Sequence, residues 1–302
     1  MHMTDVAERR LEMAPLRRSE WLATRKVVAE ADDHTREKVL SAWASRIRRS
    51  VVSMIDSAQL GHIGGDLSVA DILTVAYLVV LRVDPADPLA ADRDRFILSK
   101  GHCAASLYSA LAYAGYFDPR ELATFAKPLS PLGGHPNRNL VPGVEASTGP
   151  LGHGLPVGVG AALGARLRGD SSRVIVITGD GELQEGSNWE ALLAAAHHRL
   201  GNLTMVVDRN GLQQGACTEA TNRLEPLADK LAAFGWEVTE IDGHDYRQLI
   251  AALSASAGVG RPRAVIANTV KGKGVSFIED RVEWHHKVPT PEQVRLALEE
   301  LA

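Results

Sequence analysis

Cysteine is scarce in this sequence: Cys103 and Cys217 are the only two in 302 residues. Two are too few for a disulfide framework, and no local spacing suggests a zinc site, so isolated thiols in reducing surroundings are expected. An excess of positive charge is also missing. The formal net charge of −4 argues against nucleic acid or an anionic membrane as the main partner. No apolar run reads as long enough to span a bilayer, and the chain opens without a signal-peptide pattern; both lead to the expectation of a cytoplasmic protein. Repeats, low-complexity tracts and a convincing interdomain linker are absent too. What is there is 45% hydrophobic and 23% charged, an ordinary globular composition with enough length for a large core.

Residues 5–50 are rich in Arg, Glu and Ala, with apolar positions at helical spacing. Leu40, Trp43, Ile47, Val51 and Ile55 carry that stripe to a glycine-rich break at Gly61-His62-Ile63-Gly64-Gly65. A second helix is expected to start near Ser68, capped by its hydroxyl, and to run through Ile72 and Val75. Residues 95–98 read as a short strand ending in the loop Ser99-Lys100-Gly101-His102. Residues 127–154 are dense in Pro, Gly and Asn and predict a long loop, a feature that is often functional. Further strands are predicted at 174–177, 203–207, 236–241 and 264–267, with helices at 186–200 and 246–253. Strands alternating with helices predict an α/β fold, a doubly wound parallel sheet with helices on both faces. We divide the chain into an N-terminal helical extension (1–40) and one domain (41–302).

Two strand ends carry polar residues with a purpose. The strand at 174–177 leads into Gly179-Asp180-Gly181, and the strand at 203–207 leads into Asp208-Arg209-Asn210. Parallel neighbours joined by a crossover have their carboxyl ends on one edge, where ligands bind in open α/β sheets. Asp180 and Asn210 should then emerge side by side. A carboxylate, an amide oxygen and a nearby backbone carbonyl are the hard donors that magnesium shares with phosphate oxygens. The flanking glycines allow close backbone approach to a diphosphate. Gly-Asp-Gly taken alone is equally a plain turn. His62, His102, His135 and His285 fall in loops, as solvated histidines or as proton-transfer groups. Lys271 and Lys273 sit among glycines, where they could cradle phosphate or form a flexible basic loop. The run Gly149-Pro150-Leu151-Gly152-His153-Gly154 has the wrong spacing for a dinucleotide fingerprint.

Gly179-Asp180-Gly181, followed at this distance by Asn210, resembles the thiamine diphosphate motif. The longer string Gly179-Asp180-Gly181-Glu182-Leu183-Gln184-Glu185-Gly186, then Trp189-Glu190-Ala191, resembles transketolase. Gly61-His62 with Gly64-Gly65, Asp94-Arg95-Phe96, Ser99-Lys100-Gly101-His102, Gly134-His135-Pro136, Ser147-Thr148-Gly149-Pro150-Leu151-Gly152 and Lys271-Gly272-Lys273-Gly274 agree in the same order. The resemblance covers residues 40–290. It implies a thiamine-diphosphate-binding fold of the diphosphate-binding (PP) type. Asp180, Asn210 and the Leu212 carbonyl would hold Mg2+, with Ca2+ or Mn2+ able to substitute. Cofactor contacts are implied for His102, Gly149, Pro150, Leu151, Gly181, Glu182, Asn210, Lys271 and His285, with Gly149 and Leu151 against the aminopyrimidine ring. His62, His102, His135 and His285 are implied as catalytic, serving proton transfers while a two-carbon ketol unit moves between a ketose phosphate and an aldose. Glu185 and Glu190 would join a carboxylate network at a subunit interface; simple stabilisation of a helix start explains them equally. His197, His198 and His244 read as structural.

Full-length transketolases continue into a pyrimidine-binding domain, which carries the carboxylate that activates the cofactor, and then a third domain. No counterpart follows here. The resemblance therefore implies the N-terminal subunit of a split transketolase, inactive alone and paired with a C-terminal subunit in an α2β2 heterotetramer. Ile63, Asp66, Asn137, His153, Arg209 and His286 depart from the common pattern; they spare cofactor binding and leave the sugar open. One alternative is 1-deoxyxylulose-phosphate-type synthesis, which the split architecture disfavours. Another is a non-catalytic scaffold for a paralogous subunit; the intact Asp180, Asn210 and His62 count against it.

Overall fold

The computed structural model describes residues 10–255 and 260–302, so the stretch 5–9 of the expected first helix lies outside the described residues. Helix α1 is Pro15–Glu30 and α2 is Asp33–Ala58. Asp32 caps α2 by accepting the Thr35 N–H, and the stripe Leu40, Trp43, Ile47, Val51 and Ile55 is buried along it. The expected boundary at residue 40 falls inside α2. Trp21 and Val28 of α1 lie in the same buried cluster as α2, and the Trp21 indole N–H donates to the Tyr77 carbonyl at 3.1 Å.

Helix α3 spans Ile63–Val75 and passes into a π-helical turn, Ala76–Val80. It starts five residues earlier than the sequence suggested, and Ser68 is not its cap; the Ser68 hydroxyl donates instead to Gly65 O and to the Asp208 carboxylate. The reason is close packing. A Cβ on Gly64 would come within 2.8 Å of Trp284 O, and one on Gly65 within 2.9 Å of Cys103 Sγ. These glycines are the first turn of a helix pressed against its neighbours, not a break. The longest apolar stretch also exceeds the sequence expectation. Residues Ile63–Val80 form an 18-residue helical stretch long and apolar enough to cross a membrane, but 94% of it is buried inside the protein. It is a core helix.

The remaining elements are β1 (Arg95–Leu98), α4 (Ala104–Ala114), α5 (Gly154–Arg168), β2 (Val174–Gly179), α6 (Gly186–His197), β3 (Leu203–Arg209), α7 (Thr218–Thr221), α8 (Leu227–Ala233), β4 (Glu237–Asp242), α9 (Tyr246–Ser254), β5 (Arg263–Asn268) and α10 (Pro291–Glu300). The strands form one parallel sheet in the order β1-β2-β3-β5-β4. Their side chains alternate between two cores, as strand geometry requires. Ile175, Ile177, Val206 and Val265 pack with α1–α4 on one face, while Val174, Val176, Met205 and Val207 pack with α5, α6 and α8 on the other. Burial on both faces explains why the central strands read as continuous apolar runs. At the edge, β4 is mostly exposed or half-buried. This is the doubly wound α/β architecture expected from the sequence.

Register fixes the working edge. Gly179 of β2 pairs with Asp208 of β3, Leu98 of β1 pairs with Ile177, and Arg209 pairs with Asn268 of β5. The residues that follow each strand, Lys100, Asp180, Asn210 and Thr269, therefore emerge together.

Candidate active site

The floor of the site is a buried network built from these strand ends. Lys100 Nζ donates to Asp208 Oδ2 and, at 3.2 Å, to Gly65 O. Asp208 also accepts from the hydroxyls of Ser68 and Thr269. Burial works against the Lys100 ammonium, but Asp208 outweighs it and holds Lys100 above the ordinary lysine range. Glu182 forms a second tie. Its carboxylate accepts from the Ser99 hydroxyl, the Gly152 N–H at 3.0 Å and the Gly179 N–H at 3.0 Å. One side chain thus joins the ends of β1 and β2 to the loop before α5.

Above this floor, Asp180 is buried at the start of the turn after β2. Its Oδ1 accepts from Gly181 N at 2.7 Å and its Oδ2 from Gly211 N at 2.6 Å. That second bond brings the carboxylate against the turn carrying Asn210 and Leu212. Burial raises the Asp180 carboxyl, opposed by the Gly211 amide. A cleft of about 310 Å3 opens beside it, lined among others by His62, Lys100, His102, His135, Asp180, Asn210, Leu212, Lys271 and His285. Gly65, Gly149, Gly179 and Gly181 keep its walls low.

The donor set fits a hard divalent cation with a diphosphate. One carboxylate, one amide oxygen and one carbonyl leave half of an octahedral shell to phosphate and water, which suits Mg2+. Among the described residues no group of three or more His, Cys, Asp or Glu side chains could hold a metal. An all-protein cage is therefore not what this site offers. Gln213 Oε1, on the cleft wall, is buried without a hydrogen-bond partner among the described residues.

The four histidines converge. The His62 ring centroid lies 5.1 Å from His102, 6.5 Å from His135 and 5.5 Å from His285. His286 joins them at 4.6 Å from His62. Burial, with His286, His135 and Lys271 nearby, pushes His62 down to about 4. Burial and then Lys271 push His285 down to about 3, and burial and then Lys100 hold His102 well below its ordinary value. All three surroundings favour the neutral ring, which offers one N–H donor and one acceptor nitrogen. Lys271 is buried, and its Nζ meets the Leu212 carbonyl at 3.0 Å and His285 Nδ1 at 2.9 Å. Burial and Lys100 lower it to about 8.

The remaining expected residues stand as follows. Pro150 is exposed and does not line the cleft, and Glu182 lines it with both carboxylate oxygens already engaged. Lys273 points away from the cleft lining toward Glu279 at 3.9 Å. Glu185 and Glu190 are exposed at the start of α6. Of the six departures, Arg209, His286 and His153 touch site residues: Arg209 donates to Asp180 Oδ2 at 3.1 Å, His286 packs on His62, and His153 Nδ1 lies 3.0 Å from the carbonyl of Leu151, which lines the cleft. Ile63 is buried in α3, and Asn137 accepts from the Asn139 N–H within its own turn. Asp66 accepts from the Ser106 N–H and so caps α4 from a neighbouring helix. Lys100 and Asp208 were not singled out from sequence. Their signal was available, because Asp208 stands on the strand that ends at Asn210, and Lys100 follows a strand whose end lies on the same sheet edge.

Comparison with known proteins agrees with this geometry. The family described as "Transketolase, thiamine diphosphate binding domain" matches residues 39–297. An apulose-4-phosphate transketolase subunit from Actinobacillus succinogenes is 49% identical over 263 residues, covering 87% of this chain and 95% of the relative. A 6-deoxy-6-sulfo-D-fructose transketolase subunit of a Clostridium species is 38% identical over 87% of this chain and 96% of its own length. The solved transketolase of Campylobacter jejuni superposes with a TM-score of 0.83 at 30% identity, over 87% of this chain and 43% of that longer one. A matching sequence family, relatives covered almost end to end and a shared fold lead to one conclusion: the chain belongs to the transketolase family, as its thiamine diphosphate-binding domain.

Proposed function

We propose that this chain anchors magnesium and the diphosphate of thiamine diphosphate in a two-subunit transketolase, and that a C-terminal subunit supplies the pyrimidine side of the cofactor. The observation that carries the reading is the meeting of Asp180 with the Asn210–Leu212 turn, in one cleft with four histidines. Asp180, Asn210 and the Leu212 carbonyl hold the cation; Gly181, His102, Lys271 and His285 face the diphosphate, and Gly149 and Leu151 the ring. When bound, thiamine diphosphate supplies the nucleophilic carbon and electron sink that cleaving a bond next to a carbonyl requires. His62, His102, His135 and His285 hold and move protons at the oxygens of the ketol unit.

The partner's place is supported by apolar side chains left open at the cleft and on the two helices that follow it in the chain. Leu151 of the cleft lining, Val157 of α5 and Leu193 of α6 are 36%, 50% and 59% exposed, and Glu185 and Glu190 at the start of α6 are exposed as well. An α2β2 assembly in the cytoplasm would cover them. The relatives named for apulose 4-phosphate support a branched ketose phosphate of that class as donor. Calorimetry with thiamine diphosphate and MgCl2, on the chain mixed with an adjacently encoded C-terminal subunit, tests the anchor. Ketol transfer from apulose 4-phosphate against xylulose 5-phosphate then tests the sugar. No cofactor binding with the partner present would favour a scaffold and end this reading.

A further inference from the structure

His244 sits in the turn between β4 and α9, outside the cleft lining and outside every residue assigned above. Its side chain is only 13% exposed and is held from two sides. Nδ1 lies 2.6 Å from Asp71 Oδ2, and the backbone N–H of Val270 donates to Nε2 at 2.8 Å. Because Nε2 accepts, it carries no proton; the ring proton sits on Nδ1 and points at the carboxylate. Asp71, on α3, is fixed in turn by Arg48 of α2, whose Nη2 lies 2.5 Å from Oδ2, and by the Tyr246 hydroxyl at 2.6 Å from Oδ1. Val270 immediately precedes Lys271, whose Nζ reaches Leu212 O and His285 Nδ1 inside the cleft.

We propose that His244 is a positioning residue for the cofactor cleft: it ties the backbone of the Lys271 segment to the buried Arg48–Asp71 pair and so sets where the Lys271 ammonium stands. This rests on the reading of the cleft as the cofactor site. The alternative anchors of the segment lie on either side of Val270. Thr269 N donates to Arg209 O at 3.0 Å and Gly272 N to Gly64 O at 2.9 Å. Between them, the Val270 N–H has the imidazole as its partner. A segment one residue from a cleft lysine is thereby pinned by a neutral ring of one tautomer, with Asp71 choosing the tautomer.

Three substitutions separate the two ends of the bridge. His244→Gln keeps an acceptor near the Nε2 position. His244→Asn places its amide near Nδ1, which preserves a donor for Asp71 and leaves the Val270 N–H without a partner. His244→Ala removes both. Hydrogen exchange on the full chain is the first readout. In the Asn and Ala variants the amides of 270–275 should exchange about tenfold faster, the worth of one hydrogen bond, while β2 and β3 stay protected. Gln should restore most of the protection. Calorimetry on the chain with its partner subunit is the second readout: affinity for thiamine diphosphate with MgCl2 should fall about tenfold in Asn and Ala and recover in Gln. Unchanged exchange at 270–275, equal acceleration across the sheet in all three variants, or failure of Gln to rescue would overturn the role. A parent complex that binds no cofactor would overturn the reading of the cleft and the role with it, and would be told apart by its failure before any substitution.

Discussion

The His286 ring rests 4.6 Å from His62, at an interplanar angle of 55°. His62 is the histidine at the centre of the cluster, and His286 is one of the six positions expected to depart from the family pattern. His286 packs against one side of the His62 ring. His286→Gly is therefore expected to change KM and the preference among ketose phosphates, with cofactor affinity unchanged. The check is a steady-state panel of sugars beside a thiamine diphosphate titration. Equal loss for every sugar would mean that His286 does not select among them.

Acid should weaken the fold through the buried histidines. In the unfolded chain they take up protons near 6.5, whereas in the folded chain His62 waits until about 4 and His285 until about 3. Between those values the unfolded state binds more protons, so stability is whole above 6.5 and falls as pH drops through that window. The urea midpoint should be lower at pH 5 than at pH 7.5, and His62→Gln with His285→Gln should flatten the difference. A slope untouched by the double substitution would assign the acid sensitivity elsewhere.

Asp66 acts in the opposite sense. Burial lifts its carboxyl to about 7, against the Ser106 amide that it caps. The folded chain then binds the extra proton between 3.8 and about 7, so Asp66 costs stability at high pH and relents as pH falls. Asp66→Asn keeps an acceptor for Ser106 N and should raise stability at pH 8 by on the order of 1 kcal/mol, with little change at pH 5. Chemical denaturation at both pH values decides it. A destabilised variant at pH 8 would show that the charge is needed.

The first helix is expected to be integral to the domain. Trp21 is 1% exposed and bonds the Tyr77 carbonyl, so Trp21→Ala should cost about 3–5 kcal/mol. A thermal or urea transition that does not move would mean that α1 merely leans on the domain.

How much of this was legible beforehand depended on locality. Strands β2 and β3 announced themselves because burial on both faces gives unbroken apolar runs, and Asp180 and Asn210 followed from where those runs stop. From the residues alone the histidines were visible only as types, and it was the family resemblance that put them at one site; their meeting depends on the start of α3, the β1 loop, the loop before α5 and the segment after β5 arriving at one place. Ser68 misled because a hydroxyl near a helix start looks like a cap, and Gly64-Gly65 looks like a break. Only the neighbours, Trp284 and Cys103, reveal that a side chain there would collide. Glu182, expected as a cofactor contact, lines the cleft, and no local pattern showed that its carboxylate also ties β1, β2 and the loop before α5 together. The partners of His244, on α3 and beyond β5, are 173 and 26 residues away in the chain, and no local pattern could connect them.

The pairing of Gly179 with Asp208 has one more consequence. Asp180 and Asn210, the proposed donors, each follow directly on a strand, and the strands are held by Ile175, Ile177, Met205 and Val207 from within. A library of variants sorted only for retention of cofactor would thus enrich or deplete positions that never see a ligand. Aliphatic residues deep in both layers would score as binding residues, because the sheet is the caliper that sets the gap between two oxygens.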